Sequence, residues 1–360
     1  MSEKIYDVAI IGGGASGLAA AIELKSSSPD LSVVIIEKND SLGKKIRATG
    51  NGRCNITNVN AEGYNEIMAF FTRIGIVTRT YESGLVYPYS ESAADVVELL
   101  NKRIAELEVE VVTNAAVEKT TFENGNFIVL YNKKEITSKK LILALGGKAG
   151  PEFGTTGDGY ALAKSFGHSI VTPIPVLTSV ECKDWDASLA GIRARGVVSL
   201  YKGESKIFEE SGEIQFTKYG LSGICVFNMT RHMRYNRAEG DTLDQFTISL
   251  DLFPGGDAAH DYQTILKPEL AKYLLNREKA AGKKLINDLT FTPSQVRGWK
   301  DAQATSGGVP LDEVTDHCES KFQPGLYIIG ELLDYDGPCG GYNLSNAWLT
   351  ALRVNGDGSK

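Results

Sequence analysis

The sequence lacks the features that would place it in several large function classes. Its five cysteines, Cys54, Cys182, Cys225, Cys318 and Cys339, contain no Cys-x-x-Cys pair and no zinc-knuckle spacing, so no metal site is expected. An odd, scattered set of thiols fits a reducing cytoplasm. Lysine and arginine form no dense tract and the net charge is −7, which disfavours nucleic acid and anionic membrane as partners. No apolar run approaches the roughly 20 residues that a membrane-crossing helix needs. The chain enters a strand by Ile5, which leaves no room for a signal peptide and again suggests a cytoplasmic protein. Histidine is scarce: His232, beside Arg234 in the insert, is read as a surface or satisfied residue before a catalyst, and His168, His260 and His317 have no obvious partners. No residue is therefore assigned as a catalytic acid or base.

What is present is an ordinary globular composition, 42% hydrophobic and 23% charged over 360 residues, long enough for two domains. Its clearest pattern is at the beginning. Val8 to Ile11 is a β-branched and apolar run, as in a strand buried on both faces. Gly12-x-Gly14-x-x-Gly17 follows, and Ala15 to Ser26 is helical in composition. Gly12 permits the tight turn, Gly14 lets backbone approach a pyrophosphate, and Gly17 lets helix and strand pack closely. The helix start, at Ala15 and Ser16, offers free N–H groups to phosphate. A second strand, Ser32 to Ile36, ends in Glu37, where a ribose-binding carboxylate belongs, and Lys38 follows it. Strand, glycines, helix, strand and acid fall in one register.

Gly43 to Asn55 is a glycine- and asparagine-rich loop containing Lys44, Lys45, Thr49, Gly50 and Asn51. It is either a loop along a cofactor, with side chains and N–H groups reaching phosphate, ribitol or flavin, or an ordinary surface loop. A helix is expected at Ser92 to Leu107, then short strands at Ala115–Phe122, which contains Val117, at Asn126–Tyr131 and at Lys134–Ile136, together a β-meander. A buried strand beginning at Lys140 stops at Gly146 and Gly147. Asp158, before a helix at Tyr160 to Phe166, is read first as a cap, with a role facing the ligand as the alternative. From about Val176 to Leu252 the pattern is short strands, followed by a helix expected at Ala258 to Ala281.

The end of the chain repeats the logic of the beginning. Leu326 to Ile329 is a buried strand that stops at Gly330 and Glu331, and Cys339-Gly340-Gly341 leads through Tyr342 into a helix at Asn343 to Leu352. That helix start suits negative charge on the pyrimidine edge of a reduced flavin, and bare glycines would let backbone approach a flat ring. A ligand touching both ends of the chain is a dinucleotide with its reactive ring at the second, which favours FAD over NAD. Cys54 and Cys339 both lie in glycine-rich loops, as a redox pair or, the preferred reading, as unpaired thiols. No second Gly-x-Gly-x-x-Gly unit is available for NAD(P)H.

Several motifs carry a family resemblance. They are Gly43-Lys-Lys through Gly50-Asn-Gly-Arg-Cys-Asn-Ile-Thr-Asn58, Gly146-Gly-Lys, Thr156-Gly-Asp-Gly-Tyr, Tyr219-Gly-Leu-Ser-Gly223, Ser306-Gly-Gly-Val309, and Gly330-Glu through Asp336-Gly with Cys339-Gly-Gly-Tyr-Asn-Leu344. Over nearly its whole length the chain resembles the aminoacetone-oxidase-like and BaiN-like NAD(P)/FAD-dependent oxidoreductases of bacteria. The resemblance implies an α/β fold, a glutathione-reductase-type FAD-binding Rossmann domain interrupted by a β-barrel-like insert with a small helical segment. The FAD domain would comprise 1–177 and 319–360. The insert, at 178–318, would be a β-rich substrate or cap domain with its helical part at about 258–300. Gly12, Gly14, Gly17, Glu37, Lys45, Asn51, Gly147, Gly330, Glu331, Gly341 and Asn343 would lie near FAD. The wider candidate set adds Ala15, Ser16, Lys38, Lys44, Thr49, Gly50, Val117, Gly146, Asp158, Gly340 and Tyr342. One departure is local: in Gly84-Leu-Val-Tyr-Pro88, Leu85 stands where the resemblance leads one to expect arginine.

The expected function is an FAD-dependent oxidoreductase exchanging hydride at the flavin N5 with a small organic substrate of the amine or enone class, with NAD(P)H as a possible electron donor. The substrate is expected between the FAD domain and the insert. The alternatives are an NAD-dependent dehydrogenase and a non-catalytic FAD-binding protein. The sequence leaves oligomeric state open.

Overall fold

A computed structural model describes residues 4–234, 242–256 and 261–355. The chain divides into two compact units, Met1–Pro173 with Ala304–Lys360, and Ile174–Gln303.

The first unit is built on a parallel sheet. Its strands run in the order Glu110–Val112, Val33–Ile36, Ile5–Ile11, Lys134–Leu143 and Leu326–Ile328. These are the apolar runs of the sequence, and alternate residues serve two cores. Val8, Ile10, Val33, Ile35 and Ile142 pack with Leu18 and Ile22 of the helix Ala15–Ser27, Val96 and Leu100 of the helix Ala93–Glu106, and Trp348 and Ala351 of the helix Tyr342–Leu352. Ala9, Ile11, Val34, Ile36, Leu141 and Leu143 belong to a second cluster, with Tyr160 and Leu162 of the helix Asp158–Ser165. Ser92 caps the helix Ala93–Glu106: its Oγ accepts from the Asp95 N–H at 3.2 Å.

Two sequence expectations merge here. The segments expected at Lys134–Ile136 and from Lys140 are one strand, Lys134–Leu143. Its first half pairs antiparallel with Asn126–Tyr131, the middle of the meander, and its second half pairs parallel with Ile5–Ile11 and Leu326–Ile328. A small antiparallel sheet of Thr57–Asn58, Leu85–Pro88 and Thr78–Thr80 belongs to the same unit.

The second unit is a seven-stranded antiparallel sheet. Its order is Leu289–Phe291, Phe246–Asp251, Arg193–Lys202, Ser205–Phe216, Gly220–Ser222, Val180–Cys182 and Pro293–Val296. The two outermost strands, Leu289–Phe291 and Pro293–Val296, are separated in sequence by Thr292 alone, so the sheet must curl until its edges approach. This is the barrel-like insert. Its interior holds Val198, Leu200, Ile214, Phe216, Ile248 and Leu250, closed by Leu270 and Leu274 of the helix Pro268–Ala281. That helix starts later than the expected Ala258, because Pro268 presets the first-turn dihedral and has no N–H to lose there. Residues 258–260, and with them His260, lie outside the described residues.

Candidate functional site

The site begins at the turn after Ile5–Ile11. Gly12 has φ +107°, and a Cβ there would lie 2.4 Å from the Ala144 carbonyl oxygen. A Cβ on Gly17 would lie 1.9 Å from the Gly12 carbonyl oxygen, so this glycine is demanded by close helix–strand packing. Gly14 differs: a Cβ there would meet nothing within 4 Å. It is also the N-cap of the helix that Ala15 and Ser16 begin, with no side-chain capping bond. The first N–H groups of that helix are left beside a bare backbone and open space, the arrangement a phosphate needs.

Glu37 is 8% exposed. Its Oε2 accepts from the Gly13 N–H at 2.7 Å, and its Oε1 from the Asn39 N–H and Nδ2, each at 2.8 Å. Those donors fix a carboxylate beside the glycine turn and occupy both acceptor positions of Oε1, which leaves one on Oε2 for a further donor. Gly13 and Asn39 were not singled out from the sequence. A Cβ on Gly13 would fall 2.2 Å from Leu42 Cδ2, a constraint without local signature. Val117, half-buried, opens the first meander strand opposite Tyr131. Two residues before it, the Ala115 N–H reaches the Glu37 carbonyl at 2.9 Å.

The flanking lysines go to different places. Lys38 Nζ binds Asp158 Oδ2 at 2.5 Å and Thr156 Oγ1 at 2.7 Å. Asp158 is therefore not the cap that the sequence suggested. Gly157, at φ +84°, occupies the N-cap, and Asp158 is the first helical residue. Burial opposes ionisation of Asp158, but the hydrogen bonds from Lys38 and Thr156 outweigh it and hold its carboxyl below the ordinary value. Lys44 pairs with Asp40 at 2.9 Å on the surface. Lys45 Nζ reaches across to Glu331 Oε2 at 2.7 Å, and Glu331 Oε1 accepts from the Thr305 N–H at 2.8 Å. Thr305 in turn takes the Lys148 and Ala149 N–H groups on its Oγ1, which is why Gly147 has no room for a side chain. Gly146 precedes it at φ +72°.

Gly330 lies against the opening helix: a Cβ on it would sit 2.6 Å from Ser16 Oγ. The two ends of the chain therefore meet in one unit. The loop from Gly43 joins them. Thr49 Oγ1 is spent on the Ile46 carbonyl at 2.7 Å, and Gly50 and Asn51 take left-handed backbone at φ +58° and +55°. Asn58 Nδ2 donates to the Gly340 carbonyl at 3.1 Å, and Thr57 Oγ1 lies 2.7 Å from Ser345 Oγ. Asn55, with its amide oriented to satisfy both ends, accepts from the Gly341 N–H at 3.0 Å and donates to the Val86 and Thr57 carbonyls. Asn343 grips Gly337 through both amide ends, each at 2.8 Å. The helix starts at Tyr342, one residue before the expected Asn343, behind Gly341 at φ +97°.

The two glycines of this second turn differ in what a side chain would meet. A Cβ on Gly341 would meet the Thr57 backbone at 2.8 Å, and one on Gly340 would meet Leu85 Cδ2 at 3.4 Å. The protein's own backbone thus crowds the Gly341 position, whereas a Cβ on Gly340 would make only an ordinary van der Waals contact.

None of the five cysteines forms a disulfide. Burial pushes the Cys54 thiol up to about 12, against a smaller lowering by the Thr49 hydrogen bond, so it is a packing residue and not a nucleophile. His168 does have partners: its Nδ1 lies 2.9 Å from Glu313 Oε2 and its Nε2 2.7 Å from Ser320 Oγ. Among the described residues no cluster of His, Cys, Asp and Glu could hold a metal, and no helix is long and apolar enough to cross a membrane.

Comparison with known proteins agrees with this geometry. A family model described as the HI0933-like protein Rossmann domain matches residues 6–65 and 63–356. A 3-dehydro-bile acid delta(4,6)-reductase of Clostridium scindens is 35% identical over 399 aligned positions, covering 95% of this chain and 96% of that one. A ribosomal RNA dihydrouridine synthase of Haemophilus influenzae is 26% identical, covering 95% and 96%. Among solved structures, a 3-ketosteroid-delta4-(5alpha)-dehydrogenase of Rhodococcus jostii shares the fold, with a TM-score of 0.51 at 12% identity over 98% of this chain and 97% of that one.

Proposed function

The chain belongs to the HI0933-like family and is an FAD-dependent oxidoreductase, and from that premise we propose that it reduces a carbon–carbon double bond conjugated with a carbonyl in a small organic substrate. The observation that carries this reading is the relative named as a bile acid reductase, which matches 95% of the chain at 35% identity. The dihydrouridine synthases, as named, make a product that also has lost a double bond conjugated with a carbonyl. Reduction of an activated alkene is thus favoured over amine oxidation. A net charge of −7 supports a small substrate over an RNA.

The cradle fits FAD. Gly14 leaves open space that a side chain would fill, next to an uncapped helix start and a buried carboxylate. In the proposed arrangement Gly12, Gly14, Ala15, Ser16 and Gly17 hold the pyrophosphate through backbone, and Glu37 takes the adenosine ribose. Lys45 and Glu331 hold each other beside Gly147 and Gly330, and orient the segment that follows toward the ring. When bound, FAD supplies two-electron hydride chemistry. Gly340, Gly341, Tyr342 and Asn343 shape the wall beside the reacting end, with NAD(P)H as electron donor from solution.

The test is anaerobic reduction of the FAD-loaded protein with NADH or NADPH, then mixing with a panel of α,β-unsaturated ketones and a panel of primary amines. Return of the oxidised flavin band with the unsaturated ketones, and no bleaching of oxidised enzyme by amines, is expected. The reverse pattern overturns the reading.

A further inference from the structure

A buried hydroxyl almost always has a hydrogen-bond partner, and one that lacks it calls for a reason. In the first unit two such groups stand at the glycine-turn end of the parallel sheet. Tyr160 is 8% exposed and Ser306 is 1% exposed, and among the described residues neither hydroxyl has a hydrogen-bond partner. The other unpartnered hydroxyls of this unit lie elsewhere. Ser138 pairs with Tyr6 at the opposite end of the sheet, Thr120 belongs to the meander, and Ser26 lies in the last turn of the opening helix.

The same two carboxylates flank both groups. Ser306 sits within the buried strand Ala304–Gly308. Before it, the Thr305 N–H donates to Glu331 Oε1 at 2.8 Å, and after it the Gly307 N–H donates to Asp334 Oδ1 at 2.9 Å. Tyr160, in the first turn of the helix Asp158–Ser165, feels the charges of Glu331 and Asp334 as well. Burial first, and those charges after it, push its phenol up, so it stays a neutral donor. Glu331 is tied to Lys45 at 2.7 Å and follows Gly330, the residue that approaches Ser16 of the opening helix. The two unspent hydroxyls therefore border the proposed cradle.

Neutral O–H donors beside two carboxylates suit one part of FAD better than the others. A pyrophosphate would be repelled by the carboxylates, and an oxidised isoalloxazine has a single N–H to give them. A polyol does both things at once, accepting from O–H groups and donating to carboxylates. We propose that Tyr160 and Ser306 bind the ribityl chain of FAD, each donating a hydrogen bond to one of its oxygens. This deepens the proposed function and rests on its cradle for FAD, not on the substrate assigned there. It also fixes a sign. A buried donor without a partner weakens the flavin-free fold, so removing it should relieve the fold and harm only the complex.

The test titrates the full-length, flavin-free protein with FAD and, separately, with ADP, which carries the adenosine and pyrophosphate but no ribityl chain. Wild type, Tyr160→Phe and Ser306→Ala are compared, and the melting temperature of each flavin-free protein is read alongside. Each variant is expected to lose about tenfold in FAD affinity, to keep the wild-type affinity for ADP, and to melt at the same temperature or slightly higher. Unchanged FAD affinity in either folded variant, as when the hydroxyls hold internal water alone, overturns the assignment and leaves the cradle standing. FAD and ADP affinities that fall together, with a lowered melting temperature, overturn it in favour of a purely structural role. Wild type that fails to bind ADP sinks the cradle and this assignment with it.

Discussion

The two strand–turn–helix segments at the ends of this chain look alike in sequence and differ in what their glycines avoid. At Gly14 the missing side chain leaves open space. At Gly341 the missing side chain leaves room for the Thr57 backbone. The first turn is bare toward open space and the second, at Gly341, is bare toward its own protein. A glycine in a cofactor motif is therefore no measure of cofactor contact until the direction of its absent Cβ is known.

Three experiments break or sharpen that contrast. Gly17→Ala, which drives a Cβ to 1.9 Å from a carbonyl oxygen, should cost about 3 kcal/mol or more and abolish flavin retention, read by thermal unfolding and by absorbance after gel filtration. Gly341→Ala forces a side chain into left-handed backbone and against Thr57. It should lose about 2 kcal/mol of stability, with any loss of flavin following the loss of fold. Gly14→Ser should do the opposite. Serine is a favoured N-cap and has room, so the melting temperature should hold or rise slightly while FAD affinity falls at least about tenfold by isothermal titration. Equal damage to fold and affinity at Gly14 and Gly341 would erase the distinction.

The smallest effect lies away from both turns. The hydrogen bond from Lys139, then those from Ser32, lower the Asp7 carboxyl to about 2. A depressed carboxylate contributes stability above its unfolded value near 3.8 that is lost as pH falls through the folded value. Asp7→Asn should therefore cost about 1 kcal/mol at pH 7, once solvent screening is allowed for, and the cost should fade as pH drops through about 2. Denaturant melts across that window check it.

The opening half of the site was legible because its signals are local. Strand, glycine spacing, helix and Glu37 all fall within one short βαβ unit. The remainder is held by partners far apart in the chain. Asn55 and Asn58 read only as loop asparagines, and nothing near them announces that they bind the Gly340–Gly341 turn. Thr305, which fixes both Gly147 and Glu331, lies in an inconspicuous stretch. Asp158 carried a sound local capping signal that lost to a long-range ion pair with Lys38. Likewise the continuity of Lys134–Leu143 was hidden by Ser138, Lys139 and Lys140, polar residues at the point where the strand changes from antiparallel to parallel neighbours.

The contact between Gly330 and Ser16, and the shared core of Leu18, Ile22 and Trp348, have a consequence for how the polypeptide is made. The first helix leaves the ribosome without the residues that cover it. At roughly 5–20 residues per second, its covering helix at Tyr342–Leu352 emerges some 15–60 seconds later. Through that interval the nascent chain carries an apolar surface that the helix Tyr342–Leu352 covers in the fold, so chains truncated before Trp348 should depend on chaperones far more than chains that carry this helix.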